Sequence, residues 1–315
     1  MKKILLSCVT VLLCFSGIAQ NSANLKMNLE KNKVYRLNTV SEQTIIQTIN
    51  GNQQTVESKI NRTVSIKMVD ATPDFMIAEV KFDTLISNTN SMGKTSNVTS
   101  VSEGNIKSSE STDVMSSIMN RLTKNAMYVK MDFTGHVLQV VNAKMLSDVI
   151  MSDTSSITLA GPIGAAVKSQ IKNMVTENAL ISMVEMFTHY LPAKEIATGD
   201  NWNITVKSTS GGMALDVITN FHLESIQGNI ASITADSEIK ATENAAPMMS
   251  GPAKITYDDL KGLSKSTILI DIRTGLVIED KAKSHTAGNL GISAPGMSMQ
   301  MPMDINATSK VISLQ

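Results

Sequence analysis

The stretch from Gly161 to Pro192, GPIGAAVKSQIKNMVTENALISMVEMFTHYLP, constrains the fold more than any other, because it is the one long helical pattern outside the N-terminal leader. Ile163, Val167, Ile171, Met174, Val175, Ile181, Met183, Val184 and Phe187 recur mostly at three- and four-residue steps, with Lys168, Lys172, Glu177 and Glu185 largely between them. That spacing predicts a helix with a broad apolar stripe, and such a stripe needs cover. Residues 25–142 and 196–314 on either side are strand-rich, so the expected cover is sheet.

The first residues carry an address. Lys2 and Lys3 precede an apolar run from Ile4 to Phe15, and Gly17 and Ala19 take the small-residue positions before a cleavage site. Residues 1–19 therefore read as a secretory signal peptide, and the apolar run falls short of the ~20 residues that span a bilayer. Leu12 and Leu13 before Cys14 fit a lipoprotein site poorly. Cys8 and Cys14 both lie in the leader, so the expected mature chain, about 296 residues, has neither disulfides nor thiolate chemistry. Lys and Arg number 28 against 28 Asp and Glu, with no long like-charge run, which gives no reason to expect nucleic acid or an anionic surface as partner. Aromatic residues make up 3% while methionines number 21, so the interior is expected to be built from aliphatic side chains and pliable thioethers.

Strand grammar fills the flanks. Leu25 to Ile49 alternates loosely, Asn50-Gly51-Asn52 turns the chain, and Thr55 to Val69 returns with Val64, Ile66 and Met68 on one face. Met76, Ala78, Val80 and Phe82 form the next alternating strand, whereas residues 87–112, rich in Ser, Asn, Thr and Gly, read as a long exposed hairpin tip or mobile loop. Asp113 is the expected cap of a short helix, Met127–Phe133 and His136–Val141 form a hairpin around Thr134-Gly135, and Met145–Met151 is helical. After Pro192, Leu215, Val217, Thr219, Phe221 and Leu223 alternate, Gln227-Gly228-Asn229 turns, and residues 245–252 read as a loop. Strands resume over Thr267–Ile272 and Leu276–Lys283 around a second Thr-Gly, Thr274-Gly275.

The two Thr-Gly turns belong to a weak internal repeat. Lys33-Val34-Tyr35-Arg36-Leu37, a long hairpin and Thr134-Gly135-His136-Val137-Leu138 match Asp200-Asn201-Trp202-Asn203-Ile204, a long hairpin and Thr274-Gly275-Leu276-Val277-Ile278 in order. The leader ending Ala-Gln, the early Leu-Glu-Lys-Asn-Lys-Val-Tyr (29–35), Leu191-Pro192 with Thr198-Gly199-Asp200-Asn201-Trp202, and Asp271 to Val277 together resemble an uncharacterised family of secreted bacterial proteins, a domain of unknown function. That resemblance implies a β-rich exported domain and carries over no catalytic residue. More distantly, strands curved around helices are similar to the half-open barrels of the lipoprotein-carrier type, at the level of fold alone.

Motifs for chemistry are sparse. His136, His189, His222 and His285 form no spaced metal motif; Glu185 and His189, four apart on the helix, could form a two-ligand pair, with an ordinary polar face near a helix end as the favoured reading. Met297, Met299, Met301 and Met303 would share one face of a strand, with Pro302 pointing to an edge position. The stripe reads as core or cavity lining, with Cu(I) binding as the less favoured alternative. No nucleophile elbow or phosphate-cradling loop occurs, and the adjacent Asp258 and Asp259 would point to opposite faces of a strand. Trp202 and Tyr35 read as strand-start anchors.

The expected fold is α+β, mainly antiparallel β, with two strand-rich halves (20–142 and 193–315) packed around a central helical segment (143–192), as curved sheets or a half-open barrel. The expected function is that of an exported, non-enzymatic protein whose apolar, Met-rich interior takes a lipid-like or other hydrophobic ligand; the rival is a structural or interaction module of the cell envelope. Candidate ligand contacts are Met174, Met183, Phe187, Trp202, Met297, Met299 and Met301. No catalytic residue, resident metal, cofactor, nucleic-acid partner or transmembrane anchor after cleavage is expected; the partners in view are a hydrophobic small molecule or an envelope protein.

Overall fold

The computed structural model describes residues 22–49, 51–210, 213–250, 253–257, 259–294 and 296–314. Residues 1–21 with both cysteines, Asn50 and Asp258 lie outside them. After β1 (Ser22–Ala23) come three long strands, β2 (Val34–Ile49), β3 (Asn52–Ala71) and β4 (Met76–Ser91), and the short β5 (Lys94–Thr99). Helix α1 (Ser111–Lys124) precedes the hairpin of β6 (Met127–Met131) and β7 (Val137–Val140), followed by α2 (Ala143–Met151), α3 (Gly161–Met174) and α4 (Glu177–Thr188). The second half runs β8 (Ile196–Ala197), β9 (Asn201–Ser210), β10 (Met213–Gln227), β11 (Ile230–Ala241), a small hairpin of β12 (Met248–Ser250) and β13 (Ala253–Thr256), then β14 (Lys261–Asp271), β15 (Leu276–Ala294) and β16 (Met297–Leu314).

Among the described residues fourteen strands make one antiparallel sheet along the path β7-β6-β4-β3-β2-β16-β15-β14-β11-β10-β9, with β5 beside β4, β13 on β15 and β12 on β13. The sheet is not closed into a barrel: β7 and β9 are the two ends of the path. Helix α4 packs against both β7 and β9, so the sheet curls until its two ends meet the same helix. That is the expected arrangement of two strand-rich halves around a central helical segment. Each half is a meander, and β16 joins them by pairing with β15 on one side and β2 on the other.

The halves share a core. One cluster takes Leu37, Val64 and Phe82 from the first half, Trp202, Leu223 and Ile270 from the second, and Leu180, Val184 and Phe187 from α4. A second, smaller cluster of Leu215, Tyr257, Leu260, Leu290, Met301 and Met303 lies at the far end of the sheet. The expected strand Leu25–Ile49 begins at Val34; before it, an extended segment without strand pairing buries Leu25, Met27 and Leu29. Met27 N–H donates to the Phe133 carbonyl at 2.8 Å and Asn28 N–H to the Thr274 carbonyl at 2.9 Å, so this segment ties together the two Thr-Gly turns of the repeat. Gly135 and Gly275 both hold left-handed backbone (φ 85° and 73°), and at Gly275 a side chain would collide with the Lys26 carbonyl.

Several expectations are corrected. The single helix over 161–192 is two, because Thr176 caps a new start: its side chain accepts from Ala179 N–H at 3.3 Å. Residues 87–112 are the expected hairpin only in part: β4 and β5 do pair around Met92-Gly93, but beyond them Ser100 is buried against the helix layer and Ser111 and Thr112 already belong to α1. Helix α1 starts at Ser111, which places Asp113 in its first turn instead of at its cap. The expected 245–252 loop contains β12, which pairs with β13. Pro302 lies in a central strand, yet the β16–β2 ladder begins only at Met303, so the proline occupies a locally open edge where its missing N–H costs nothing. Among the described residues no helix is long and apolar enough to cross a membrane.

Candidate functional site

The candidate residues separate into two places. Phe187 and Trp202 are buried in the large cluster, with Met174 and Met183 packed on its margin. Met301 is buried in the second cluster with Met303, whereas Met297 at the strand start is exposed. Trp202 is an anchor: it stacks on Phe221 with ring centroids 5.2 Å apart and donates Nε1–H to the Tyr190 carbonyl at 3.1 Å. Tyr190 in turn donates its hydroxyl to the Gly275 carbonyl and accepts from Val277 N–H, and burial pushes its phenol far above the ordinary value. Asp259 is bound by Asn289 through its backbone N–H (2.7 Å) and Nδ2 (2.6 Å), a turn lock.

At the edge of the large cluster the inner face of the sheet carries a row that the alternation did not announce. The ladders place Arg62, Thr39, Val311, Asp280 and Ile268 side by side on β3, β2, β16, β15 and β14. Thr39 follows the buried Leu37 by two residues, which puts the row on the core side. Arg62, half-buried, reaches α4, its Nη1 3.5 Å from the sulfur of the exposed Met186, and no carboxylate pairs with it among the described residues. Burial alone pushes its guanidinium below the ordinary value. Asp280 stands three strands away, and burial raises its carboxyl to about 6 against a smaller lowering by Ser266. Thr39 Oγ1 and one Asp280 oxygen are buried without a hydrogen-bond partner among the described residues.

Beside this row lies a strip of half-buried, mostly small residues: Ile60, Ser41, Ser309, Ala282 and Ser266. The inner face therefore stays partly open between two apolar clusters, with a cation and a proton-holding acid at its border. Two open grooves of about 830 and 650 Å³ lie around Lys265, Lys281, Lys283 and Glu42, and the larger is lined in part by Ser266, Ala282 and Ser309 of the strip. Neither includes the row.

A second grouping sits at the sheet end gripped by α4. His136 Nδ1 is 2.6 Å from Glu185 Oε1, which also accepts Val137 N–H at 2.9 Å, and His189 Nδ1 lies 3.7 Å from the same oxygen. The two imidazoles face one another with centroids 4.8 Å apart. Burial lowers the His189 pKa, partly offset by Glu185. The helix pair was visible as an i,i+4 spacing; His136 was not linked to it, because only the fold brings the β6–β7 turn onto α4.

Comparison with known proteins agrees with the family resemblance. No curated protein matches the chain. Among solved structures, one on lipid–protein interactions in lipovitellin is similar at 9% identity and a TM-score of 0.47, over 91% of this chain and 25% of that one, so the chain spans about a quarter of its length. An outer membrane channel from Pseudomonas putida F1 is similar at 6% identity and a TM-score of 0.27, over 91% of this chain and 97% of that one. Likenesses this weak say nothing about what the chain does. The sequence profile of one family, however, matches residues 73–277, well over half of the chain. By that match the chain belongs to the Family of unknown function (DUF6263).

Proposed function

We propose that the protein is an exported, non-enzymatic binder of an amphiphile with an anionic head, held on the inner face of its curled sheet. The observation that carries this is Arg62: a half-buried guanidinium, facing a thioether and, among the described residues, no carboxylate, at the border of a half-open apolar strip. A buried cation without a counter-charge is costly, and a carboxylate or phosphate oxygen pair from a ligand would relieve it through a planar, two-pronged contact. Thr39 offers a free hydroxyl one strand away. The apolar tail would lie along the Ile60–Ser309 strip toward the second cluster, held by area burial without covalent chemistry. The leader of Lys2, Lys3 and the apolar run to Phe15 supports export. A cavity between α4 and the sheet is disfavoured, since Leu180 and Val184 are fully buried and Phe187 nearly so.

The test is native mass spectrometry of the protein purified from its own envelope fraction, followed by organic extraction. A stoichiometric apolar acid or phospholipid is expected, and Arg62→Met should lose it by about tenfold or more, the loss of one charge-assisted contact. A clean apo mass for the wild type would overturn the reading and leave a packed interaction module of the envelope.

A further inference from the structure

The structure points to a second site, independent of the amphiphile: we propose that His136, Glu185 and His189 bind a divalent transition-metal ion, zinc foremost, through the two Nδ1 atoms and the Glu185 carboxylate. All three ligand atoms lie within 4.8 Å of one another. Two imidazoles and one carboxylate are a donor set that zinc takes readily, with the fourth position left to solvent. His136, its side chain 46% exposed, opens that position to water, while Glu185 at 8% and His189 at 15% form the closed side.

His189 Nδ1 is the telling atom. It is buried and has no hydrogen-bond partner among the described residues, although it points at a carboxylate oxygen 3.7 Å away. Buried polar nitrogens are seldom left so, and a metal ion between the three groups would use this one. Ligand atoms in a tetrahedral site with ~2.0 Å bonds stand about 3.3 Å apart, so His136 must move about 0.7 Å away from the Glu185 oxygen and His189 about 0.4 Å towards it, with the trio, now spread over up to 4.8 Å, drawing together around the ion.

The scaffold around the site is already fixed. Val137 N–H orients the carboxylate as an outer-shell donor, the role such contacts play at metal centres. Thr188 Oγ1 donates to the Gly135 carbonyl at 2.7 Å, and a side chain at Gly135 would strike the Thr188 carbonyl, so turn and helix end are locked in register. The bound ion would clamp the β6–β7 hairpin, one end of the sheet, to the helix that also meets β9 at the other. Its role is structural, and no reaction is assigned to it.

The experiment titrates zinc into chelator-treated full-length wild type, His136→Ala, His189→Ala and the double variant by calorimetry, with cobalt absorption as a second readout. His136 is half-exposed, so its variant keeps the fold, which circular dichroism checks. One-to-one binding is expected in the wild type, with affinity lower by about 100-fold or more in either variant, and saturating zinc should raise the wild-type melting temperature. His285→Ala, a histidine bound to Asp304 elsewhere, should change nothing. Equal zinc binding by wild type and the double variant, or no binding by the wild type at 100-fold excess of ion, would overturn the proposal. A wild type that binds no zinc but whose stability falls in His136→Ala would identify the trio as a hydrogen-bonded clamp.

Discussion

At the scale of single residues, Asp280 shows how a fold overrules alternation. Val277 faces the core, so simple parity would send Asp280 outward and bring Glu279 and Lys281 inward. The β14–β15 ladder shifts register between Leu269 and Ile270, leaving Ile278 as an extra residue, and the shift turns Asp280 inward against Ile268. No sequence pattern marks that bulge, which is why the inner-face row was not legible in advance. Its consequence is measurable. The native carboxyl holds its proton to about pH 6, above the ordinary value of 3.8, so between those values the folded state binds more protons than the unfolded one. Stability therefore falls as pH rises through that window, and above it the ionised, half-satisfied group costs on the order of 1–3 kcal/mol. Asp280→Asn should raise stability by about that amount at pH 7.5 and change it little at pH 4, as denaturant unfolding at the two pH values would show. A variant less stable than wild type at pH 7.5 would mean that the charged form is used in the fold.

At the scale of elements, strands were more legible than helix ends. The alternation of Met76, Ala78, Val80 and Phe82 is reproduced as four buried residues on β4, because a half-buried antiparallel strand imposes period two directly on the sequence. The Met297–Met303 stripe behaves likewise, growing more buried as β16 passes from the exposed Met297 to Met301 and Met303. The apolar stripe over 161–192 was also real, but it concealed a break, since two consecutive helices packed on one core keep similar periodicities. The cue was Thr176, followed at once by Glu177 in the first turn of α4. Removing that cap tests the division. Thr176→Ala should destabilise the protein by about 1 kcal/mol, measured by urea unfolding, because Ala179 N–H loses its acceptor. Were residues 161–188 one continuous helix in solution, Thr176→Ala would be neutral or stabilising, since alanine is the better interior residue.

At the scale of the whole molecule, the repeat and the candidate sites have a common explanation. The two halves repeat a meander, and what distinguishes them is how their ends are joined: α4 between β7 and β9, β16 between β15 and β2, and residues 24–30 across both Thr-Gly turns. Neither the Arg62–Asp280 row nor the His136–Glu185–His189 trio exists within one half or one element. His136 and Glu185 are 49 positions apart, and no local spacing encodes their meeting. The same joining decides whether the halves are separate folding units. Met27 is fully buried in the cluster shared by both, and its backbone N–H bonds the first half's turn while Asn28 bonds the second's. Met27→Ala should cost about 2–5 kcal/mol, the range for emptying a buried methionine site. Because the lost contacts serve both halves, the melting temperature should fall by several degrees while the calorimetric transition stays single, its van't Hoff and calorimetric enthalpies equal. Two transitions in the wild type, with only one shifted by Met27→Ala, would show that each half keeps its own core and that the segment is stapled to one of them alone.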